Sequence, residues 1–205
     1  MSSSSPVVPT TSLVDREAVL RWLEAEVPGH RLKHILRVEQ MSMALAQAYD
    51  LDVAKAAQAG LMHDLAKYYR PQRLLALARE AGLAIDPVDE ADPRLLHAAV
   101  SAVVAQQEFG VQDAEILAAI AHHTLGEPGM SPLSCVVFLA DSLEPGRGDT
   151  PELKELRKVA HHNLQRAVWM TCDRTLAHLI AQKLLIHPRM ILTRNWAMQQ
   201  AQTKA

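Results

Sequence analysis

Six histidine and aspartate side chains lie where the sequence is otherwise apolar. His63 and Asp64 end the apolar run "AGLM", and Asp141 directly follows "VVFLA". An ionised carboxylate is costly to bury without a partner or a cation. Imidazole and carboxylate together suit transition metals such as iron, manganese and zinc. The pattern therefore predicts a shared metal site built from these side chains: His34, His63, Asp64, His97, His123 and Asp141.

Each of these side chains also has a simpler interpretation. A single histidine on an apolar helix face, such as His34, is commonly a hydrogen-bonded core residue. Asp64 could pair with Lys67 one helical turn later, and Asp141 could cap a turn before Glu144. These alternatives stay open for each residue alone, but the recurrence of one setting favours a common ion. Four other histidines are interpreted as solvated or structural: His30, His161, His162 and His178.

Helices must position these side chains. Adjacent helix residues point about 100° apart, so His63 and Asp64 share an ion only if it lies between the two directions. Neighbouring helices must supply the other ligands, as in metal sites of helical bundles. Apolar periodicity and Gly or Pro boundaries predict helices over these ranges: 13–27, 31–50, 53–69, 71–82, 94–110, 113–124, 131–145, 151–185 and 187–202. Residues 84–93 are predicted as a loop, and no β-like alternation occurs. The predicted fold class is all-α, a single-domain bundle of about eight or nine helices.

Length and composition limit the class of protein. The chain has 205 residues, enough for one domain, which we predict at 13–205 after a disordered tail over 1–12. A net charge of −2 without a basic stripe argues against a nucleic-acid partner. No apolar run approaches the length of a membrane span, and the two cysteines form no metal motif. We expect a reduced, cytoplasmic protein.

Several short motifs resemble one known family. The order H…HD…D, carried by His34, His63, Asp64 and Asp141, is the signature of the HD metal-dependent phosphohydrolase superfamily. The resemblance spans residues 16–200 and is strongest for the YqeK branch of that superfamily. The stretch "LADSLEPGR" after "HT" is its most specific part. The matching segments are "HDLAK" (63–67), "LLHAAVSA" (95–102), "HTLG" (123–126), "PGMSPL" (128–133), "FLADSLEPGR" (138–147) and "LLIHP" (184–188).

The resemblance implies a role for each matching position. The implied ligands of the first metal are His34, His63, Asp64 and Asp141. The family usually holds iron, as one or two ions, and manganese, cobalt and zinc suit the same donors. A second ion, or phosphate oxygens, would lie at His97 and His123. The implied substrate contacts are Arg31, Asp64, Lys67, His97, His123, Thr124, Arg147 and His187. The implied catalytic residues are Asp64, Lys67 and Arg147. The sequence departs from the family pattern at four positions expected in pocket walls: Ala98, Leu125, Lys183 and Met190.

The members of this branch are symmetrical bis(5′-nucleosyl)-tetraphosphatases, so the resemblance implies hydrolysis of diadenosine tetraphosphate to two ADP. A metal ion would lower the pKa of the attacking water toward 7. The planar fork of Arg147 matches a phosphate, and Lys67 would add charge at the same mouth.

Two other functions stay open from the sequence. The first keeps the chemistry but acts on another nucleotide, such as a deoxynucleoside triphosphate or an alarmone. The second is a regulator that binds metal and nucleotide with little turnover, against which the intact ligand set argues. The partners we expect are a dinucleoside polyphosphate or ADP, with no nucleic acid and no membrane. The residues leave the oligomeric state open, a homodimer included.

Overall fold

Eleven α-helices follow one another along residues 14–203, the part of the chain that the computed structural model describes. They are α1 Arg16–Glu26, α2 Gly29–Ala48, α3 Val53–Met62, α4 Pro71–Glu80, α5 Pro87–Ala91, α6 His97–Phe109, α7 Ala114–His122, α8 Pro132–Leu143, α9 Pro151–Ala160, α10 Leu164–Ala181 and α11 Pro188–Thr203. Two 3₁₀ turns, Pro93–Leu96 and Pro145–Arg147, precede α6 and follow α8. Residues 14–203 contain no β-strand, which confirms the all-α prediction. No helix in this range is long and apolar enough to cross a bilayer.

The predicted tail over residues 1–12 lies outside the described residues. The limits of the domain, 13–205, therefore stay a prediction.

Side-chain caps explain where α3, α7 and α8 begin. Asp52, Asp113 and Ser131 accept hydrogen bonds from backbone N–H groups in the first turns of α3, α7 and α8. These N–H groups have no partner inside a helix, so such caps stabilise the helix start.

The helix boundaries differ from the predicted ones in three places. The predicted helix 53–69 ends at Met62, and residues 63–68 form tight turns instead. The predicted loop 84–93 contains α5, which Asp86 starts with a capping box. The predicted helix 151–185 is divided into α9 and α10, because the chain turns after Ala160 and Asn163 caps a new helix through the N–H of Arg166.

Two hydrophobic clusters form the core. The first joins buried side chains of α1, α3, α4, α6 and α7, and the second joins those of α8 to α11. Helices α2 and α8 contribute to both, for example through Ile35 and Val137 in the first and Leu45 and Phe138 in the second. These two shared helices carry His34 and Asp141, so part of the predicted site lies where the two clusters meet.

Two glycines allow close approaches that support the site. A Cβ at Gly60 on α3 would lie 2.9 Å from Oγ of Ser42 and 3.0 Å from Cα of Glu39, both on α2. Gly126 has a φ of +67°, and a Cβ there would collide with the side chain of Thr193 on α11. The Thr193 hydroxyl also donates to the Leu125 carbonyl oxygen at 3.1 Å. Helix α11 therefore packs against the loop that follows α7.

Candidate functional site

Asp64 lies at the centre of the predicted cluster and is buried. Its Oδ1 is 3.4 Å from His97 Nε2 and 3.7 Å from His123 Nε2. Its Oδ2 is 3.3 Å from His63 Nε2 and 4.0 Å from His34 Nε2. Residues from α2, α6 and the ends of α3 and α7 thus converge on one carboxylate.

Asp141 on α8 completes the six predicted side chains. Its Oδ1 is 3.0 Å from His34 Nε2 and 3.8 Å from His63 Nε2. Two sets of three possible metal ligands result, with all ligand atoms of a set within 4.8 Å of one another. They are His34, His63 and Asp141, and His63, Asp64 and His123. The sequence pattern grouped these six residues into one predicted site, and the structure places them around two adjoining points.

Hydrogen bonds fix which ring nitrogen of each histidine faces the cluster. His63, His97 and His123 each donate Nδ1–H to the carbonyl oxygen three residues earlier, at 2.7, 2.7 and 2.8 Å. His34 donates Nδ1–H to Oε1 of Glu144 at 3.0 Å. Carbonyl and carboxylate oxygens only accept, so Nδ1 carries the hydrogen and the neutral ring presents the Nε2 lone pair. Metal-binding histidines are commonly held in this way.

The donor set fits a cation. The Nε2 atoms of His34 and His63 are buried, and among the described residues no donor bonds either of them, because their nearest polar neighbours are carboxylate oxygens. His97 Nε2 and His123 Nε2 face each other at 3.1 Å. Lone pairs that converge in a buried site repel unless a proton or a cation lies between them. Neutral imidazoles and two carboxylates are donors that first-row transition metals accept.

Burial and neighbouring charges shift the pKa values in the cluster. Burial lowers the pKa of His123 to about 3, and a positive charge on His63 or His97 would act in the same direction. Burial also opposes charge on His63, but Asp64 and Asp141 outweigh it, so the pKa of His63 is raised. Burial opposes ionisation of Asp64, yet His63 and His97 hold the pKa of Asp64 well below its usual value. At neutral pH the cluster therefore keeps ionised carboxylates, which attract a cation.

Cationic and hydroxyl side chains border the cluster on one side. Arg31 Nη1 pairs with Oδ2 of Asp64 at 3.0 Å. Lys67 Nζ and Thr124 Oγ1 donate toward His97 Nε2 at 3.1 and 3.2 Å. Burial lowers the pKa of Lys67. Within residues 14–203, the Lys67–Asp64 pair considered from the sequence does not form, and Arg31 is the cationic partner of Asp64 instead.

Arg147 reaches the cluster from the 3₁₀ turn after α8. Its Nη2 bonds Oδ1 of Asp141 at 2.6 Å, and its Nε bonds the Asp141 carbonyl oxygen at 2.8 Å. The side chain is 39% exposed, so it remains accessible from solvent. Asp141 does not cap the turn, because Glu144 accepts the N–H of Gly146 there.

Glu144 is a buried residue whose part in the site the sequence interpretation missed. Its carboxylate accepts from His34 Nδ1, from Arg37 Nε and from the Gly146 N–H. A Cβ at Gly146 would collide with the Arg37 guanidinium, so the turn lies against that group. Glu144 thus joins a candidate ligand on α2 to the turn that carries Arg147. The available cue was an acidic residue directly after an apolar helix, the same cue that identified Asp141.

His187 does not join the cluster. It is buried, its Nε2 lies 3.3 Å from Oδ2 of Asp89, and its Nδ1 accepts the Arg189 N–H at 3.0 Å. It lines a cleft of about 520 Å³ with mostly apolar walls, here called the apolar cleft. Leu125 and Met190, two of the departures from the family pattern, also line it.

A second cleft, of about 650 Å³, opens from the cluster and is here called the polar cleft. Its lining residues are Thr124, Asp141, Ser142, Arg147, Glu152, Arg174, Thr175, Ala177 and His178. His178 is exposed in this cleft and does not pack in the core. His161 and His162 are also exposed, as expected of solvated residues.

The amino-acid sequence is similar to those of known proteins. The HD domain family matches residues 31–146. A protein of Bacillus subtilis (strain 168) named "bis(5′-nucleosyl)-tetraphosphatase, symmetrical" is 33% identical over 183 residues, which cover 89% of this chain and 97% of that protein. A protein of Staphylococcus aureus (strain NCTC 8325 / PS 47) with the same name is 30% identical over 177 residues, 85% of this chain and 90% of that protein.

A solved structure is also similar throughout. It is a crystal structure of a Clostridium acetobutylicum protein named "predicted HD superfamily hydrolase involved in NAD metabolism". Its TM-score is 0.87 at 30% identity, and the match covers 92% of this chain and 100% of that chain.

Proposed function

Because this chain belongs to the HD domain family, as its motifs predicted, we propose that it hydrolyses diadenosine tetraphosphate symmetrically to two ADP with a bound metal ion. The observation that carries the proposal is the convergence of four Nδ1-protonated histidines on Asp64 and Asp141. Relatives named for this activity match nearly the whole chain, which supports the substrate.

We propose that the first ion is held by four side chains: His34, His63, Asp64 and Asp141. Iron is the proposed metal, with manganese, cobalt or zinc as alternatives for the same donors. We assign His97 and His123 to a second ion, because their Nε2 lone pairs lie on the Oδ1 side of Asp64. Phosphate oxygens, the alternative partners, would need a proton on Nε2, which the low pKa of His123 disfavours. When bound, such an ion supplies positive charge to phosphate oxygens and lowers the pKa of a water molecule.

The remaining side chains bind and orient the polyphosphate. Arg147, at the mouth of the site, presents a planar fork that matches two phosphate oxygens. Lys67 and Thr124 bond His97 Nε2 in the structure, and we assign these donors to phosphate oxygens of the bound substrate. Arg31 adds a further cation beside Asp64. Water forms a new P–O bond at one of the two inner phosphorus atoms, while the bond to the bridging oxygen of the other half breaks. The leaving oxygen then takes a proton, and two ADP result.

The test is product identification with a matched pair of variants. The purified holoenzyme, with its metal identified by elemental analysis, is incubated with diadenosine tetraphosphate, and we expect ADP alone. Asp64→Ala should abolish hydrolysis and metal binding while circular dichroism stays helical. Asp173→Ala, at a half-exposed aspartate that is paired with Arg194 and lies outside the cluster, is the control and should retain both. Hydrolysis that survives in Asp64→Ala refutes the role given to Asp64.

The name of the Clostridium protein favours a second candidate, an HD hydrolase that acts on another nucleotide. Formation of AMP and ATP, or no turnover of diadenosine tetraphosphate beside turnover of another nucleotide, would support this candidate. An enzyme loaded with metal that turns over no nucleotide would instead support a binding regulator.

We also propose a cytoplasmic protein that forms a homodimer. Five large apolar side chains are exposed on and between α10 and α11: Ile180, Leu184, Leu185, Ile191 and Leu192. A second copy of this chain could cover them, since exposed apolar patches commonly mark interfaces. Sedimentation of the wild type as a monomer at micromolar concentration would contradict the dimer.

A further inference from the structure

The polar cleft joins the candidate cluster to the outer face of α10. Thr124, Asp141 and Arg147 form the wall on the side of the cluster. Arg174 and His178 form the far wall, one turn apart on α10. The cleft has a volume of about 650 Å³, within the range of about 300–1,000 Å³ that is common for ligand pockets.

The polar and apolar clefts lie on two sides of the same short stretches of chain. Thr124 lines the polar cleft and the next residue, Leu125, lines the apolar cleft. On α10, His178 lines the polar cleft and Leu179 the apolar cleft. Thr124 also bonds His97 of the cluster, so the reacting region is close to this division.

We propose that the polar cleft binds one nucleotide half of the substrate, an ADP unit, and that Arg174 binds its phosphate; this assignment rests on the proposed function. A substrate with two identical nucleotide halves needs binding space on both sides of the bond that breaks. The cluster opens into the polar cleft through Asp141 and Arg147, so one half lies there as cleavage occurs.

The charges of the cleft suit a nucleoside diphosphate. Arg147 and Arg174 offer two guanidinium groups, which bind phosphate oxygens in pairs. Arg174 Nε lies 3.3 Å from Oε2 of Glu152, and both side chains are well exposed, at 40% and 62%. Such exposed ion pairs contribute little to the stability of the folded chain. A phosphate can therefore replace the Glu152 carboxylate as the partner of Arg174.

The neutral and acidic groups of the cleft suit the rest of the nucleotide. The Thr175 hydroxyl and the Glu152 carboxylate can accept hydrogen bonds from ribose hydroxyls. The His178 ring is exposed and offers a flat face to a base. Arg174 pairs with Glu152 and not with a residue of the cluster, so we assign it to binding and not to catalysis.

The experiment counts ADP molecules bound to the metal-loaded enzyme by calorimetric titration. We expect two ADP per chain for the wild type and one for Arg174→Ala. For diadenosine tetraphosphate, Arg174→Ala should raise KM about tenfold and leave kcat within about twofold. The matched control is Arg166→Ala, an exposed arginine on the same helix outside the cleft, which should behave as the wild type.

One ADP per chain in the wild type, or two in Arg174→Ala with an unchanged KM, would overturn the proposal. The proposed function has its own readout in the same material. If the wild type binds two ADP but releases none from diadenosine tetraphosphate, the proposed substrate is wrong while the nucleotide site in the cleft stands.

Discussion

Asp64 connects the two sets of candidate ligands because its two oxygens face different histidines. Oδ1 faces His97 and His123, and Oδ2 faces His63 and Arg31. A carboxylate placed in this way would offer one oxygen to a cation on either side of it. Arg31 restrains Oδ2, so rotation of the carboxylate would break an ion pair as well as any metal bond.

Removal of the Arg147 guanidinium should separate turnover from metal binding. We expect Arg147→Ala to lower kcat about 100-fold, because a preorganised donor to the transition-state charge is lost. Arg147→Lys, which keeps the charge without the fork, should recover only part of the loss. Steady-state kinetics and elemental analysis check both variants. A loss of metal from Arg147→Ala would mean that its bonds to Asp141 hold a ligand in place.

Neutralising Glu144 should weaken metal binding although Glu144 is not a ligand. Glu144→Gln replaces an acceptor of three hydrogen bonds by a group that must turn an N–H toward one of the donors, which loosens His34. Loss of a carboxylate partner of a metal-bound histidine typically costs 10–100-fold in affinity. Metal titration of the apoenzyme measures the effect. Glu155→Gln, at an exposed pair on α9, is the control, and equal affinities in the two variants would contradict the prediction.

At the scale of secondary structure, three of the histidines lie at helix ends. His63 and His123 are the C-caps of α3 and α7, and His97 is the first residue of α6. At a helix end the ring can bond a nearby carbonyl and still turn Nε2 away from the helix. The predicted helices 94–110 and 113–124 already place His97 and His123 near helix ends, whereas the predicted helix 53–69 places His63 well inside a helix.

The end of α3 could not be predicted from periodicity. Apolar residues continue at helical spacing beyond Met62, and local preference alone extends the helix. In the structure the Ala66 N–H donates to Oγ of Ser101 on α6, at 2.9 Å, instead of to a carbonyl of a continuing helix. A contact between residues distant in sequence therefore sets this boundary, whereas the division of α9 from α10 had a local cue in Asn163.

A side chain at Gly60 should disrupt the close packing of α2 against α3. Gly60→Ala places Cβ 3.0 Å from Cα of Glu39, so the two helices must move apart. His34 lies on α2, and His63 bonds the carbonyl of Gly60 itself, so their separation should change. We expect a loss of about 1–3 kcal/mol in unfolding free energy and weaker metal binding.

Thermal unfolding and metal titration measure these two effects. Gly29→Ala is the control, because nothing lies within 4 Å of a Cβ there, and its stability should stay within about 0.5 kcal/mol of wild type. Equal stability and affinity of Gly60→Ala and Gly29→Ala would show that the helices tolerate the extra carbon.

For the whole molecule, the sequence predicted the fold class and the residues that meet, but not the spaces around them. The six side chains were identified because ionisable groups interrupt apolar runs, which is a local signal. The polar cleft depends on how α10 lies against the end of α8, and the apolar cleft on where residues 184–190 pass. Such placements follow from packing between distant segments, which no short pattern encodes.

The free energy of unfolding should fall in alkaline solution, and ionisation of the Cys172 thiol in the unfolded chain should account for part of the fall. This thiol is fully buried on α10, and burial, aided by the charge of Asp173, raises its pKa to about 12 from 9.0. The unfolded chain ionises first, so as pH rises from about 9 to 12 the unfolded state gains stability. At pH 10 the effect is roughly 1 kcal/mol. Denaturant unfolding at pH 8 and pH 10 should show a smaller decline for Cys172→Ala than for wild type, and identical declines would refute it.

The contact between α11 and Gly126 has a consequence for biosynthesis. The loop that carries Thr124 receives a hydrogen bond and a packing surface from Thr193, which belongs to the last of the described helices. A nascent chain on the ribosome has already made all six clustered side chains before Thr193 emerges. That loop can therefore reach its final alignment only after all six side chains have been synthesised, and a polypeptide truncated before α11 would contain the clustered residues but lack the contact that supports Thr124.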